Sequence, residues 1–156
     1  MTLELGRVTD RKPPFKYSAL ARVGFSDTDA QGIVYYGRYP PYFDVARAEY
    51  LRHLELPHDT VGSEEQFLMR ALKVDYHDSA RFDDLLEVFI RFRRIGRSSL
   101  TAAFVVYRVD DDRLMCEAEL TNVLVRLSDR SPVPVPEDYR AVVRSFEGPD
   151  LEEVTG

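Results

Sequence analysis

One stretch of helical periodicity limits what this chain can become. Tyr39, Tyr42, Phe43, Ala46, Tyr50, Leu51 and Leu54 recur at spacings of three and four. They form one broad apolar stripe, and Asp44, Arg47, Arg52 and Glu55 fall largely off it. Pro40 and Pro41 suit the first turn of this helix, where an N–H has no partner anyway, and Pro57 marks its exit. Upstream lies one alternating stretch, residues 15–25, with Phe15, Tyr17, Ala19, Ala21, Val23 and Phe25 on one side. Downstream come four more strand-like stretches, residues 67–76, 86–92, 100–109 and 114–127. The first of these places Leu68, Leu72, Val74 and Tyr76 on one face. The third is apolar on both faces, as a central strand is. Asp110, Asp111 and Asp112 make a tight hairpin turn before the last. The apolar parity of that last strand switches near Thr121 and Asn122, which predicts a β-bulge there.

Short polar turns make the later strands mostly antiparallel. One helix and about five strands in this order bury a core when the sheet curls around the helix. The expectation is an α+β chain: a curved, mostly antiparallel sheet wrapped around one long helix. A short second helix starts at Pro136, with Tyr139, Val142, Val143 and Phe146 as its stripe. A chain of 156 residues, 44% hydrophobic and 31% charged, is expected to form a single domain over residues 1–156. Residues 1–14 read as a flexible polar arm and residues 148–156 as a frayed acidic tail.

Charge and composition exclude several function classes. A net charge of −6 argues against general nucleic-acid binding. No apolar run reaches membrane-spanning length and the N-terminus lacks an apolar signal core, so a soluble cytoplasmic protein is expected. The lone Cys116 lies in an apolar strand pattern and reads as buried filler. His53, His58 and His77 are not spaced as metal ligands, and no metal is expected.

Residues 25–39 carry the densest chemistry, Phe-Ser-Asp-Thr-Asp-Ala-Gln-Gly-Ile-Val-Tyr-Tyr-Gly-Arg-Tyr. Asp27 and Asp29 follow a strand and precede the long helix. An acidic group is thereby placed beside a helix N-terminus, whose unpaired N–H groups stabilise an anion or a developing oxyanion. Pro40 and Pro41 remove two donors, so such a donor must come from residues 33–39. The opening half of a calcium-binding EF-hand loop also fits, but its twelfth position requires a bidentate Glu and here is Arg38. The calcium reading fails on that charge. The plainer reading is an Asp-rich turn that caps the helix.

The pattern Asp-Thr-Asp-x-x-Gly-Ile-Val-Tyr-Tyr-x-x-Tyr, followed by Tyr42-Phe43-Asp44-x-Ala46-Arg47, resembles hot-dog-fold acyl-CoA thioesterases of the 4-hydroxybenzoyl-CoA thioesterase type. The resemblance runs over residues 15–127. It implies a hot-dog fold and hydrolysis of an acyl-CoA thioester, with coenzyme A as part of the substrate and no separate cofactor. It also implies a homodimer or homotetramer with a continuous sheet and active sites shared between protomers. Asp29 matches the family's catalytic carboxylate, acting as general base or as nucleophile. Tyr36, where many members carry His, would offer its backbone N–H to the thioester carbonyl, and Gly32 would let the backbone approach it. Asp44 matches a position facing the acyl pocket; its plainer role is an ion pair with Arg47 one helical turn on. Arg97, Ser98 and Ser99 resemble the family's turn near the coenzyme A entrance. Arg93, Arg94 and Arg97 form a local basic cluster there, which serves phosphate recognition or merely a solvated face. Asp27 reads as structural, bonding backbone amides of the turn. No G-x-S-x-G is present, which favours carboxylate catalysis. Two other activities fit the fold. One is a non-catalytic acyl-thioester binding module. The other is a dehydratase, which wants a pocket His that the motif lacks.

Overall fold

Helix α1 (Tyr39–His53) forms where its stripe predicts, with both prolines in the first turn, and buries Tyr39, Tyr42, Phe43, Ala46, Tyr50 and Leu51. The structure is a computed structural model and describes residues 4–154. The other elements are β1 (Gly6–Lys12), β2 (Phe15–Arg22), β3 (Glu65–Tyr76), β4 (Leu85–Ile95), β5 (Ser99–Arg108), β6 (Arg113–Arg126), α2 (Glu137–Glu147) and β7 (Glu152–Glu153). The seven strands make one sheet in the order β1-β2-β4-β5-β6-β3, with β7 attached to β4. All pairings are antiparallel except β4 with β7. The five strands read from the sequence are β2 to β6, and β5 is central as its two apolar faces require. Phe43 stacks on Phe104 of β5 at 4.8 Å, and Tyr50 meets Phe92 of β4 edge-on at 5.0 Å. Helix α1 rests chiefly on β2 and β4, so β6 and β3 flank it. No helix among the described residues is long and apolar enough to cross a membrane.

Three expectations need correction. The arm is not loose: residues 6–12 are strand β1, in register with β2 through Gly6↔Ala19 and Val8↔Tyr17. The cause is polar. Glu87 of β4 has a side chain only 5% exposed, and an unpaired carboxylate there would be costly. It accepts hydrogen bonds from Ser18 Oγ at 2.6 Å, from Arg7 at 3.4 Å, and from Arg11. Arg11 also lies over the Phe89 ring at 5.6 Å, and Lys12 over Tyr107 at 4.1 Å. Met1, Thr2 and Leu3 lie outside the described residues.

The tail is not frayed over residues 148–154. A single 3-10 turn leads to β7, where Glu152 pairs with Arg94, and Val154 N–H donates to the Ile95 carbonyl at 2.9 Å. Fully buried Glu147 accepts from the Tyr50 hydroxyl and from Phe92 N–H at 3.0 Å, tying the end of α2 to α1 and β4. Thr155 and Gly156 lie outside the described residues.

The bulge near Thr121 and Asn122 lies in the partner strand. Met69 pairs with Asn122 and Ala71 with Thr121, so the extra residue is Arg70 of β3. Parity in β6 continues inward through Asn122, which is 6% exposed. In β3 the bulge flips the faces, so Phe67 rather than Leu68 joins Leu72 and Val74 against the core.

Candidate active site

Beyond β2 the chain makes a 3-10 turn at Phe25–Asp27 and then folds back on itself. Thr28 and Val34 pair as an isolated antiparallel bridge. Inside it, Asp29 N–H donates to the Ile33 carbonyl at 2.9 Å and Gly32 N–H to the Asp29 carbonyl at 3.0 Å. Gly32 has φ +79°, the left-handed region that glycine enters without strain. A Cβ added there would find nothing within 4 Å, so the tip faces open space in the single chain. The connection between β3 and β4 braces the loop from the other side, through Ile33↔Arg81 and Val34 N–H to the Ala80 carbonyl at 2.8 Å.

Half-buried Asp29 accepts the Gln31 N–H on Oδ1 at 2.8 Å. Its Oδ2 makes no hydrogen bond among the described residues. On the return path Val34, Tyr35 and Arg38 spend their N–H groups on Ala80, Asp27 and Tyr35 carbonyls. The Tyr36 N–H, which opens the 3-10 turn Tyr36–Arg38 ahead of α1, has no partner among the described residues. The Tyr36 carbonyl accepts from the Tyr76 hydroxyl at 2.9 Å, which fixes that peptide. A carboxylate with a free oxygen and a free N–H at a helix entrance thus lie on the two arms of one small loop. Neither aspartate caps α1: its N-cap is Arg38, with no side-chain cap bond.

Asp27 does more than the sequence suggested. Its Oδ2 accepts Gly24 N–H at 2.9 Å and the Tyr42 hydroxyl at 2.8 Å. Its Oδ1 accepts Arg38 Nε at 3.2 Å and Nη2 at 3.0 Å. Its carbonyl takes Tyr35 N–H at 3.0 Å. One residue therefore ties the Asp29 loop to the turn that carries Tyr36 and to α1. Burial pushes its carboxyl pKa up. The bonds from Gly24, Tyr42 and Arg38, with the Arg38 charge, outweigh that and hold it below the usual carboxylate range. The roles of Arg38, Tyr42 and Tyr76 were not legible beforehand. Tyr42 and Tyr76 counted as apolar stripe, and only their hydroxyls carry the contacts.

The remaining candidates divide. Asp44 is exposed on α1 and forms no ion pair with Arg47 or any other described residue. Partial desolvation still raises its carboxyl pKa, against the pull of the Arg47 charge. Arg93 pairs with Glu119 at 2.5 Å, and Arg93 and Arg94 share Glu152 at 3.6 and 3.5 Å. The basic cluster is thus largely neutralised, and Arg97 is its one exposed side chain without an ion pair among the described residues. Ser98 and Ser99 hold the turn through their carbonyls, which accept from Leu124 N–H at 2.8 Å and Gly96 N–H at 2.9 Å. The Asp29 loop borders the Leu85 end of β4, whereas Arg97 follows its Ile95 end. Eleven strand residues separate them, roughly 36 Å. One chain does not bring Asp29 and Arg97 together. Cys116 is buried, and burial pushes its thiol up to about 12, which leaves it protonated and inert. Among the described residues no group of three His, Cys, Asp or Glu could hold a metal ion.

The sequence profile of the thioesterase-like superfamily matches residues 23–143. The acyl-CoA thioesterase YbgC of Haemophilus influenzae is 33% identical over 127 residues, 80% of this chain and 92% of that protein. The acyl-CoA thioester hydrolase YbgC of Escherichia coli is 31% identical over 126 residues, 80% of this chain and 91% of that one. A solved structure from Aquifex aeolicus is similar at a TM-score of 0.73 and 26% identity, covering 81% of this chain and 98% of that one. The fold is also that of a 1,4-dihydroxy-2-naphthoyl-CoA thioesterase from Synechocystis, with a TM-score of 0.78 at 17% identity over 85% of this chain and 98% of that one.

Proposed function

The chain belongs to the thioesterase-like superfamily and has its hot-dog fold, and from that premise we propose that it hydrolyses acyl-CoA thioesters with Asp29 as the catalytic carboxylate. The observation that carries this reading is the pairing of a free Asp29 oxygen with a free Tyr36 N–H across one braced loop. The Tyr36 N–H, at the positive end of the helix entrance, polarises the thioester carbonyl and receives the oxyanion. The Asp29 side chain either takes a proton from an attacking water or attacks the carbonyl itself, expelling the coenzyme A thiolate and giving an anhydride that water then opens. Both routes end in a carboxylic acid and the coenzyme A thiol, and coenzyme A enters only as part of the substrate.

The site is proposed to be completed by a second copy of the chain. The Gly32 tip is open, β3 presents a free twelve-residue edge, and Arg97 is a whole strand away from its own Asp29. Two copies joined along β3 would let Arg97 of one serve the nucleotide phosphates at the loop of the other.

Asp29→Asn keeps shape and removes the charge. Thiol release from a panel of acyl-CoAs should show kcat lower by on the order of 10²-fold or more. Parent-like turnover in the variant would defeat the assignment, as would a parent protein that binds acyl-CoA without releasing thiol.

A further inference from the structure

Residues 96–98 form the turn that joins β4 to β5 and carries Arg97. Its backbone is held from α2. Arg140, one turn into that helix and only 9% exposed, donates through Nη2 to the Gly96 carbonyl and to the Arg97 carbonyl, the latter at 3.1 Å. Val135 N–H donates to the same Arg97 carbonyl at 2.9 Å. The Gly96 carbonyl, on a buried residue, has no other partner among the described residues. These two carbonyls belong to the peptide planes on either side of the Arg97 Cα. Fixing both planes fixes the direction in which the Arg97 side chain leaves the turn.

The guanidinium of Arg140 is itself held. Its Nε donates to the Val135 carbonyl at 3.2 Å and its Nη1 to Glu153 of β7 at 3.2 Å. Burying a guanidinium is costly unless its donors are met, and here they are spent on the turn, on Val135 and on Glu153. Arg144, one turn further along α2, pairs with Glu153 at 2.8 Å and with Glu137 at 3.1 Å. Arg97, Arg140 and Arg144 line one cavity of about 370 Å³ together with Glu137 and Glu153. The two arginines of α2 answer the two acids. Arg97 is left as the cation of that cavity without an ion pair among the described residues.

We propose that Arg140 is a positioning residue, which holds the turn so that Arg97 meets the nucleotide phosphates of acyl-CoA. The proposal rests on the reading of Arg97 as the phosphate ligand. What separates Arg140 from a plain anchor for α2 is its choice of acceptors: Nη2 serves the two carbonyls that flank the Arg97 Cα. Lysine is no substitute. A single ammonium does not reach both carbonyls, Val135 and Glu153 at once, whereas the planar fork of arginine does.

The test measures calorimetric binding of free coenzyme A, and thiol release, in parent, Arg140→Lys, Arg97→Ala and the double variant. Loss of one charge-assisted phosphate contact corresponds to about tenfold weaker coenzyme A binding in Arg97→Ala. Arg140→Lys should weaken binding by about three- to tenfold and raise KM for acyl-CoA by the same factor, with kcat within about twofold of the parent. In the Arg97→Ala background the same substitution should change coenzyme A affinity by less than about twofold, because the side chain that the turn aims is gone. A short thioester without the nucleotide serves as internal reference, so a partial loss of folded protein moves both substrates alike. Arg140→Gln, shorter and uncharged, is the second variant and carries the same expectation. A loss as large without Arg97 as with it would make Arg140 a structural anchor and overturn the proposal. Parent-like affinity in Arg140→Lys, beside a weakened Arg97→Ala, would overturn it alone. Parent-like affinity in Arg97→Ala would remove the phosphate reading and this proposal with it. Binding that depends on both residues in a protein that releases no thiol would defeat the thioesterase reading and leave the role of Arg140 standing.

Discussion

Replacing Asp27 by Asn tests whether the clamp behind the catalytic loop matters. The substitution keeps shape but leaves one acceptor oxygen and adds an NH2 group. If the oxygen keeps Gly24 N–H and the Tyr42 hydroxyl, the NH2 faces Arg38 and two charge-assisted bonds are lost. Arg38 is 43% exposed on its side chain and can turn to water, so that loss is discounted to about 1 kcal/mol. If the amide flips, its NH2 faces Gly24 N–H, which loses its acceptor, and the Tyr42 hydroxyl can only accept, at a cost of about 1–3 kcal/mol. The cheaper orientation sets the expectation of about 1–2 kcal/mol, a fall in Tm of about 2–8 °C for a chain of this size. Asp29 is two residues further along, so a loosened loop should lower kcat by about tenfold with KM nearly unchanged. Calorimetry and thiol release at pH 7 read both. The pH dependence follows from the depressed folded pKa. The parent's extra stability is present above the unfolded value of about 3.9 and is lost as pH falls through the lower folded value. The Tm gap between parent and Asp27→Asn should therefore close in acid. Equal Tm and kcat at pH 7, or a gap that persists in strong acid, would refute the clamp.

Two predictions concern the second copy. Arg97→Ala should raise KM for acyl-CoA with little change in kcat, while a short thioester without the nucleotide is hydrolysed as by the parent. An equal loss on both substrates would mean that Arg97 supports the fold instead. Sedimentation should find at least a dimer at micromolar concentration, and mixed dimers of Asp29→Asn and Arg97→Ala should recover part of the parent's efficiency at low substrate. A stable monomer would end the shared-site proposal.

Local pattern was enough for the helix, the five strands and the candidate loop. Each of these depends on neighbours in sequence: an apolar period of three and four, an alternation of two, and aspartates just ahead of a helix. The strand parity of residues 67–76 was legible except across Arg70, because a bulge is specified by the partner strand as well as by the bulged one.

What escaped was held by polar contacts distant in sequence. Strand β1 looked like a loose arm because its anchor is Glu87, whose need for charge arises only once β4 is buried. The tail looked frayed because Glu147 and Glu153 find Phe92, Arg140 and Arg144 only after α2 has docked. Arg93 and Arg97 looked alike as letters, yet Glu119 lies across the sheet from one and no acid among the described residues meets the other. The candidate catalytic residues could be named from the chain alone. Which of their atoms are free, and that Arg97 lies a strand's length away, was decided by tertiary structure. Hydrogen bonding and distance depend on how the chain closes on itself, and periodicity records only which side of an element faces in.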